Sequence, residues 1–401
     1  MVRQSSPQVL RFIKNFAHSL QAEAANLMYG IPGRKIATIG VTGTDGKTTT
    51  ASLIFHILKT AGYNPALIST VAAQIGGKTY STGLHTTTPS AFTVQRYIKY
   101  AVEEKCDYLI LEVTSHALDQ NRVRNIKFKI GVLTNITHEH LDYHGTYDKY
   151  LRIKAKLFKK SETSILNMDD SSFELIKPVL GTKKIATYSL RKKSDFNLKN
   201  IGVKLPGEYD FNFENFMAAI STAKLLEITD EKIALALSSF KFPQGRQEIV
   251  YEEDFQIVID FAHTPNSFER ILPVLSRTTT EKLIHVFGSA GKRDMSKRSL
   301  MGSISAKYAD VIILTAEDPR GEEISKINEQ IKLGIKDFKG ELFEEPDRQR
   351  AINLAVSMAK KADRIVITGK GHEQSMNLGN GEIPWSEHEA VKKALLKNKL
   401  L

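Results

Sequence analysis

The chain holds a single cysteine, Cys106, in 401 residues. That excludes an internal disulfide and a cysteine-built metal cluster, and it fits a reducing compartment. No apolar run reaches the ~18 residues a membrane-spanning helix needs. The amino-terminal MVRQSSPQVLRFIKNFAHSL lacks a continuous apolar stretch followed by a small-residue cleavage site, so no signal peptide is expected. Internal repeats and low-complexity tracts are also missing. These absences make a cytoplasmic location the expectation, with no membrane partner. Acidic residues are the minority charge: 56 Lys and Arg against 45 Asp and Glu give a formal net charge of +11. A surplus of that sign suits nucleic acid, an anionic surface or anionic small substrates. The basic clusters Lys156–Lys160, Arg191–Lys193 and Lys392–Lys399 are short, however, and not interleaved with the aromatics that single-strand binding uses. They read as solvated surface. No nucleic-acid partner is expected, and a phosphate-bearing small substrate is compatible.

What is present is the composition of a globular protein, 41% hydrophobic and 25% charged. It is long enough for two or three domains with large cores. Residues 5–29 read as one or two helices. From Ile36 onward, short runs apolar on both faces alternate with longer amphipathic segments, the pattern of parallel α/β sheets. Strands are expected at Ile36–Val41, Tyr108–Val113, Ile130–Asn135 and Thr163–Asn167. A second series covers Ile257–Phe261, Leu283–Phe287, Val311–Thr315 and Arg364–Thr368. Helical segments between them include Ser90–Glu104, Asn215–Leu226, Ser267–Ser276, Lys297–Lys307 and Arg348–Lys360. Pro243 and Gly245 mark a boundary between the series. The expected organisation is a short helical extension over 1–35, a central nucleotide-binding domain over 36–243 and a second α/β domain over 244–401.

The strongest motif is Gly40-Val-Thr-Gly-Thr-Asp-Gly-Lys-Thr-Thr-Thr50, set between a strand and a helical segment beginning near Ala51. Strand, glycine-rich turn, Gly-Lys-Thr and helix form the context of a phosphate-binding loop, although the first glycine of GxxxxGK[ST] falls on Val41. Gly43, Thr44, Asp45 and Gly46 would bring backbone N–H groups to phosphate oxygens, and the helix start beyond Thr49 adds positive potential. Lys47 would reach the terminal phosphates, and the Thr48 hydroxyl can ligate magnesium.

Further polar clusters follow later strands. Glu112 ends a buried strand, as a magnesium ligand or as a carboxylate held by hydrogen bonds. His138, Glu139, His140, Asp142 and His144 crowd one loop. Their spacing is not HExxH and no cysteine assists, leaving a histidine beside magnesium or a hydrogen-bonded loop histidine ahead of zinc. On residue type alone, the lysines of the helical segment Tyr150–Phe158, Lys154 among them, would be solvated. In the second series Asp260–Ser267, Phe287–Asp294, Thr315–Glu322 and Thr368–Glu373 each follow a strand with charged residues. Together they suggest an anion- and zwitterion-binding face at the strand ends.

TGTDGKTTT, EVTSHALDQNR, TNITHEHLDYHGT with YLRIKAKLF, GRQE, DFAHTPNS, FGSAGKRD, EDPRGE and GKGHE stand in the order seen in Mur ligases. From about Ile36 to the carboxyl end the chain resembles that family, and within it the type that adds the third residue to UDP-N-acetylmuramoyl-L-alanyl-D-glutamate. The resemblance implies a P-loop-type central parallel-sheet domain followed by a Rossmann-like α/β domain that binds the amino acid. It implies an ATP-dependent, ADP-forming ligase of peptidoglycan precursor synthesis: ATP phosphorylates a carboxylate, and an amine attacks the acyl phosphate. It makes Lys47, Glu112, His140 and Lys154 catalytic. Thr48, Glu112, His140 and a carbamylated Lys154 would stand at the magnesium ions. Asn215, Arg246 and Asp260 would contact the nucleotide. Thr87, Thr88, Thr114, Gln120 and Arg122 would touch the muramoyl dipeptide. Arg293, Asp318, Arg320, Gly369 and Glu373 would form the pocket of the incoming diamino acid.

Arg320 favours meso-diaminopimelate, whose far end carries a carboxylate as well as an amine, over lysine. Glu317 and Asp318 depart from the Asp and Asn usual in the diaminopimelate type, and the additional carboxylate favours a cation. The family's amino-terminal UDP-gripping domain is expected to be missing, since only about 35 residues precede the loop, and the stretch Tyr188–Leu205 is short for the family. These departures keep open a Mur-like ligase acting on another carboxylate, of folylpolyglutamate type. A non-catalytic subunit is opposed by the intact Lys47, Glu112, His140 and Lys154. A monomer using only small-molecule substrates is expected.

Overall fold

The computed structural model of the chain describes residues 7–83, 87–137, 141–206 and 212–400. They fall into two compact units, Met1–Lys241 and Phe242–Leu401. In the first unit nine strands make one sheet. Five are laid down early: β1 (Ala37–Thr42), β2 (Pro65–Ile68), β3 (Ala73–Ile75), β4 (Lys78–Tyr80) and β5 (Tyr108–Glu112). Four follow: β6 (Phe128–Leu133), β7 (Ser161–Asn167), β8 (Lys184–Ser189) and β9 (Phe196–Asn197). Their order is β4-β3-β2-β5-β1-β6-β7-β8-β9. All pairings are parallel except the β2–β3 and β3–β4 hairpin ladders.

The central strands are apolar on both faces because helices cover both sides. Ile39, Val41, Leu109, Ile110, Leu111 and Val132 are fully excluded from water. The helix Lys47–Thr60 begins at the phosphate-loop lysine, one turn before the Ala51 at which its apolar pattern starts. A single helix spans Pro7–Met28. A parallel sheet delivers the carboxyl ends of β1, β5 and β6 to one edge, and the loops that carry Gly43–Gly46, Thr114 and Thr134 leave from those ends.

The second unit is built on six strands: β10 (Glu248–Glu252), β11 (Gln256–Asp260), β12 (Leu283–Phe287), β13 (Val311–Leu314), β14 (Glu341–Glu344) and β15 (Arg364–Thr368). Their order is β10-β11-β15-β12-β13-β14, parallel apart from β10. Ile257, Ile259, Val286, Ile313, Ile365 and Ile367 form its core with the helices Arg348–Met358 and Glu387–Lys397. A two-stranded ribbon, β16 (Ser375–Asn377) and β17 (Glu382–Pro384), follows the loop beyond β15.

Candidate active site

The loop after β1 is held by the residues that follow β6. Thr134 Oγ1 donates to Asp45 O at 2.6 Å, Asn135 Oδ1 accepts from Asp45 N at 3.0 Å, and Asn135 O accepts from Thr44 N at 2.8 Å. Gly46 sits at φ +79, where an L side chain is strained, and a Cβ there would stand 2.1 Å from Asn215 Oδ1. A Cβ on Gly43 would strike Thr134 Oγ1 at 1.8 Å. Both positions are packed too closely against Thr134 and Asn215 for any side chain, so the loop keeps a glycine backbone whose N–H groups suit a phosphate chain. Lys47 Nζ reaches back to Thr44 O at 2.8 Å, and Thr49 and Thr50 are buried in the first helical turn.

Glu112 ends β5 and is 1% exposed. Thr48 Oγ1 lies 3.1 Å from both of its oxygens, and Thr70 approaches it through both Oγ1 at 2.9 Å and N at 3.0 Å. One carboxylate and two hydroxyls form a hard-oxygen set suited to magnesium, which keeps several waters of its own. Thr70 went unread in the sequence because Ser69-Thr70-Val71 follows a four-residue strand and carries no motif. Among the described residues no group of three His, Cys, Asp or Glu could hold a metal. His138, Glu139 and His140 lie outside the described residues.

Lys154 corrects the reading made from residue type: it is 1% exposed, not solvated. In the helix Tyr147–Lys160 it falls four residues after Tyr150 and four before Phe158, inside the stripe that packs against the sheet, while Arg152 and Lys156 point to water. Its Nζ donates to Gly43 O at 2.6 Å and lies 4.7 Å from the Tyr150 ring centre. The Tyr150 hydroxyl meets Thr44 Oγ1 at 3.1 Å. Lys47, Lys154 and, through Thr48, Glu112 therefore gather around one loop.

Asn215 lies on the helix Asn212–Leu225, its Oδ1 against Gly46 and 3.3 Å from Thr50 Oγ1. Beyond β5, the Thr88 hydroxyl donates to Glu112 O at 2.9 Å and accepts from Thr114 N at 3.0 Å, while Thr114 caps the helix Ser115–Asp119. Arg122 Nη1 donates to Thr88 O at 2.6 Å, and its Nε and Nη2 fork onto Gln120 Oε1 at 2.9 and 2.6 Å. Burial lowers the Arg122 pKa from its ordinary value. Thr88, Thr114, Gln120 and Arg122 thus form one connected cluster, with the half-buried Thr87 beside it in sequence.

In the second unit the Arg246 guanidinium stacks 4.5 Å over the Phe261 ring, and Asp260 accepts from Gln247 N at 2.7 Å and Ala262 N at 2.6 Å. The loops after β12, β13 and β15 carry the remaining charges. Asp318 accepts from Lys370 Nζ at 2.8 Å, Arg320 Nη2 at 3.3 Å and Asn377 N at 3.1 Å. Lys370, fully buried, also bonds Glu373. Glu317 is packed against Gly369; burial pushes its carboxyl pKa up, and Lys297 and Lys370 pull it back. Arg320 has φ +52, and its N donates to Asn377 O at 2.9 Å. Arg293 is exposed on the glycine-rich loop after β12. That loop is tied down by Gly291 N donating to Asp318 O at 2.8 Å and by Arg298, whose guanidinium donates to Glu322 and Ala290 O.

The phosphate cradle, the hydroxyl–carboxylate set and the Rossmann-like second unit define a nucleotide-dependent α/β enzyme of P-loop type. Residues 41–223 match the Mur ligase middle domain, and residues 245–371 match the domain described as Mur ligase, glutamate ligase domain. The UDP-N-acetylmuramoyl-L-alanyl-D-glutamate–2,6-diaminopimelate ligase of Aquifex aeolicus is 39% identical over 93% of this chain and 80% of its own length. The UDP-N-acetylmuramyl-tripeptide synthetase of Borreliella afzelii is 37% identical over 97% of this chain and 81% of its own. A solved 2,6-diaminopimelate ligase of the same description superposes with a TM-score of 0.62 at 28% identity, covering 91% of this chain and 79% of its own. A folylpolyglutamate synthase from Mycobacterium tuberculosis reaches 0.69 at 16% identity over 87% of this chain and 92% of its own, a likeness of fold alone. The chain belongs to the Mur ligase family, and it is an ATP-dependent, ADP-forming ligase of the kind that uses magnesium. Among the described residues no helix is long and apolar enough to cross a membrane.

Proposed function

We propose that this ligase joins meso-diaminopimelate to UDP-N-acetylmuramoyl-L-alanyl-D-glutamate through an acyl phosphate, in peptidoglycan precursor synthesis. Lys47 and the amides of Gly43 to Thr48 hold the phosphates of ATP in line with the substrate carboxylate. Phosphoryl transfer needs that positioning and charge neutralisation more than covalent help. Magnesium, when bound, neutralises charge developing on the transferred phosphoryl group, with Thr48, Glu112 and His140 as its protein ligands. The Lys154 amine, held against Gly43 O, adds carbon dioxide and loses a proton to become a carbamate. That places an anion where the loop collects cations. Arg122, desolvated and forked on Gln120, offers its edge to an anionic part of the muramoyl dipeptide, with Thr87, Thr88 and Thr114 alongside. Asn215 serves the adenine of ATP, Arg246 and Asp260 serve nucleotide phosphate and ribose, and Arg293, Gly369 and Glu373 complete the amino-acid pocket.

The observation that carries the choice of amino acid is the state of Asp318. Both its oxygens are engaged by Lys370, Arg320 and Asn377, so the extra carboxylate is already neutralised and adds little attraction for a lone ammonium. The Arg320 guanidinium has five donors, more than one carboxylate oxygen can use, and its planar fork matches a second carboxylate. The far end of diaminopimelate supplies that carboxylate; lysine does not. The test is phosphate release with ATP, magnesium and the UDP-muramoyl dipeptide, offered meso-diaminopimelate and L-lysine in turn. Diaminopimelate should be strongly preferred. A preference for lysine overturns the choice of amino acid, and no release with either overturns the substrate assignment.

A further inference from the structure

Arg348 opens the helix Arg348–Met358 as its first residue, a cation at the positive end of a helix dipole. Asp347 already caps that end by accepting from Arg350 N at 2.9 Å, so the arginine is not there for the helix. Its side chain turns inward and is only 1% exposed. There Nε donates to Glu387 Oε1 at 2.9 Å, Nη1 to Ala316 O at 2.9 Å and Nη2 to Thr368 O at 2.8 Å.

Those two carbonyls are particular ones. Ala316 O belongs to the peptide unit from which Glu317 and Asp318 leave β13, and Thr368 O to the unit from which Gly369 and Lys370 leave β15. The two strands are not neighbours, since β12 lies between them. From β12, His285 Nε2 meets Thr368 Oγ1 at 3.0 Å and Nδ1 meets Ser305 Oγ at 2.9 Å. One guanidinium thus reaches across a strand and sets the departure direction of both loops that carry the Asp318, Lys370 and Glu373 pairings. A local choice that opposes helix electrostatics, with all three guanidinium nitrogens hydrogen-bonded elsewhere, marks a residue that serves something beyond the helix.

We propose that Arg348 is a positioning residue for the incoming amino acid: its buried fork fixes the peptide units at the ends of β13 and β15, so that the amino-acid pocket is preset before substrate arrives. This rests on the amino-acid pocket assigned above. A planar guanidinium holds the two carbonyls and the carboxylate in fixed mutual directions, which the rotatable point charge of an ammonium does not impose. Displacing a binding group by about 1 Å costs about a hundredfold.

The full chain is tested as Arg348→Lys, which keeps the charge opposite Glu387 but loses the fork, and as Arg348→Met with Glu387→Met, which removes both buried charges together and spares the fold an uncompensated ion. In either folded variant KM for the amino acid should rise about tenfold or more, while KM for ATP stays within about twofold of wild type. Equal rises for ATP and the amino acid, or an amino-acid KM near wild type, overturn the proposal. Glu387→Gln, which preserves the carbonyl bonds, should keep the wild-type amino-acid KM, and a tenfold rise there also overturns it. A readout independent of turnover is amide hydrogen exchange. In Arg348→Lys, exchange across 316–320 and 368–373 should accelerate about tenfold, with 37–133 unchanged. Unaltered exchange in the two loops refutes the clamp even if the wild-type chain turns over no amino acid, a failure that would instead count against the substrate reading.

Discussion

At the end of β5 in the first unit a carboxylate, Glu112, is surrounded by the hydroxyls of Thr48 and Thr70 and a backbone N–H. Beyond β13 of the second unit a carboxylate of the same sign, Asp318, is gripped by two cations, Lys370 and Arg320. The first arrangement leaves negative charge on offer, as an incoming divalent cation requires. The second cancels its charge internally and retains a directional guanidinium. A nucleotide–magnesium complex is the same in any ATP-dependent reaction, so a contiguous loop of backbone donors and small hydroxyls suffices. An amino acid must be told from its relatives, and that calls for fixed, paired charges whose geometry rejects the wrong partner.

The comparison is broken most sharply at Lys154. If the loop of the first unit carries the chemistry, Lys154→Ala should fold as wild type yet lose about a thousandfold or more in ligation rate, and wild-type activity should fall on removing carbon dioxide and return with bicarbonate. Near-normal turnover in the variant removes Lys154 from the mechanism. Glu112→Gln can keep the hydrogen bonds of Thr70 but removes the negative charge of the hydroxyl–carboxylate set. We expect about a hundredfold loss of turnover and a magnesium titration shifted to higher concentration, read by phosphate release. An unshifted magnesium curve denies Glu112 its ligand role.

Arg320→Ala addresses the second region. The ratio of kcat/KM for diaminopimelate over lysine should drop about tenfold or more, with KM for ATP little changed. An unaltered ratio places selectivity elsewhere. The smallest effect expected is on stability. Burial, reinforced by Arg348, depresses the His285 pKa to about 3, so it is neutral in the fold while the unfolded chain protonates near the ordinary 6.5. The unfolded state then binds the extra proton, and stability falls as pH drops from 6.5 toward 3, by up to about 1.4 kcal/mol per pH unit. His285→Gln should flatten that slope in urea titrations; an equal slope assigns the dependence to other groups.

Much of the fold was legible because central strands buried on both faces write themselves as apolar runs. Leu283–Phe287 and Arg364–Thr368 coincide with the strands observed, and Tyr108–Glu112 differs from its expected span by one residue. Weaker strands escaped notice. Glu341–Glu344 is largely exposed, Lys184–Ser189 shows no regular in–out alternation, and Pro65–Ile68 spans only four residues, so neither length nor periodicity sets them apart from loops. The phosphate loop was readable as one contiguous motif. The burial of Lys154 was missed because residue type argued for solvent, although its place four residues from both Tyr150 and Phe158 puts it on the buried stripe. Arg348 and Thr70 were not readable. Their roles arise from partners tens of residues away, and nothing in PDRQR or STVA signals which carbonyls or carboxylates the fold will bring to them.

The measurement that bears most directly on the central claim is phosphate release by the purified chain with ATP, magnesium and UDP-N-acetylmuramoyl-L-alanyl-D-glutamate, with and without meso-diaminopimelate. Release that requires both the dipeptide and the diamino acid, and that is lost in Lys47→Ala, is the predicted result. Release that proceeds equally without the amino acid, or survives the loss of Lys47, would contradict the account.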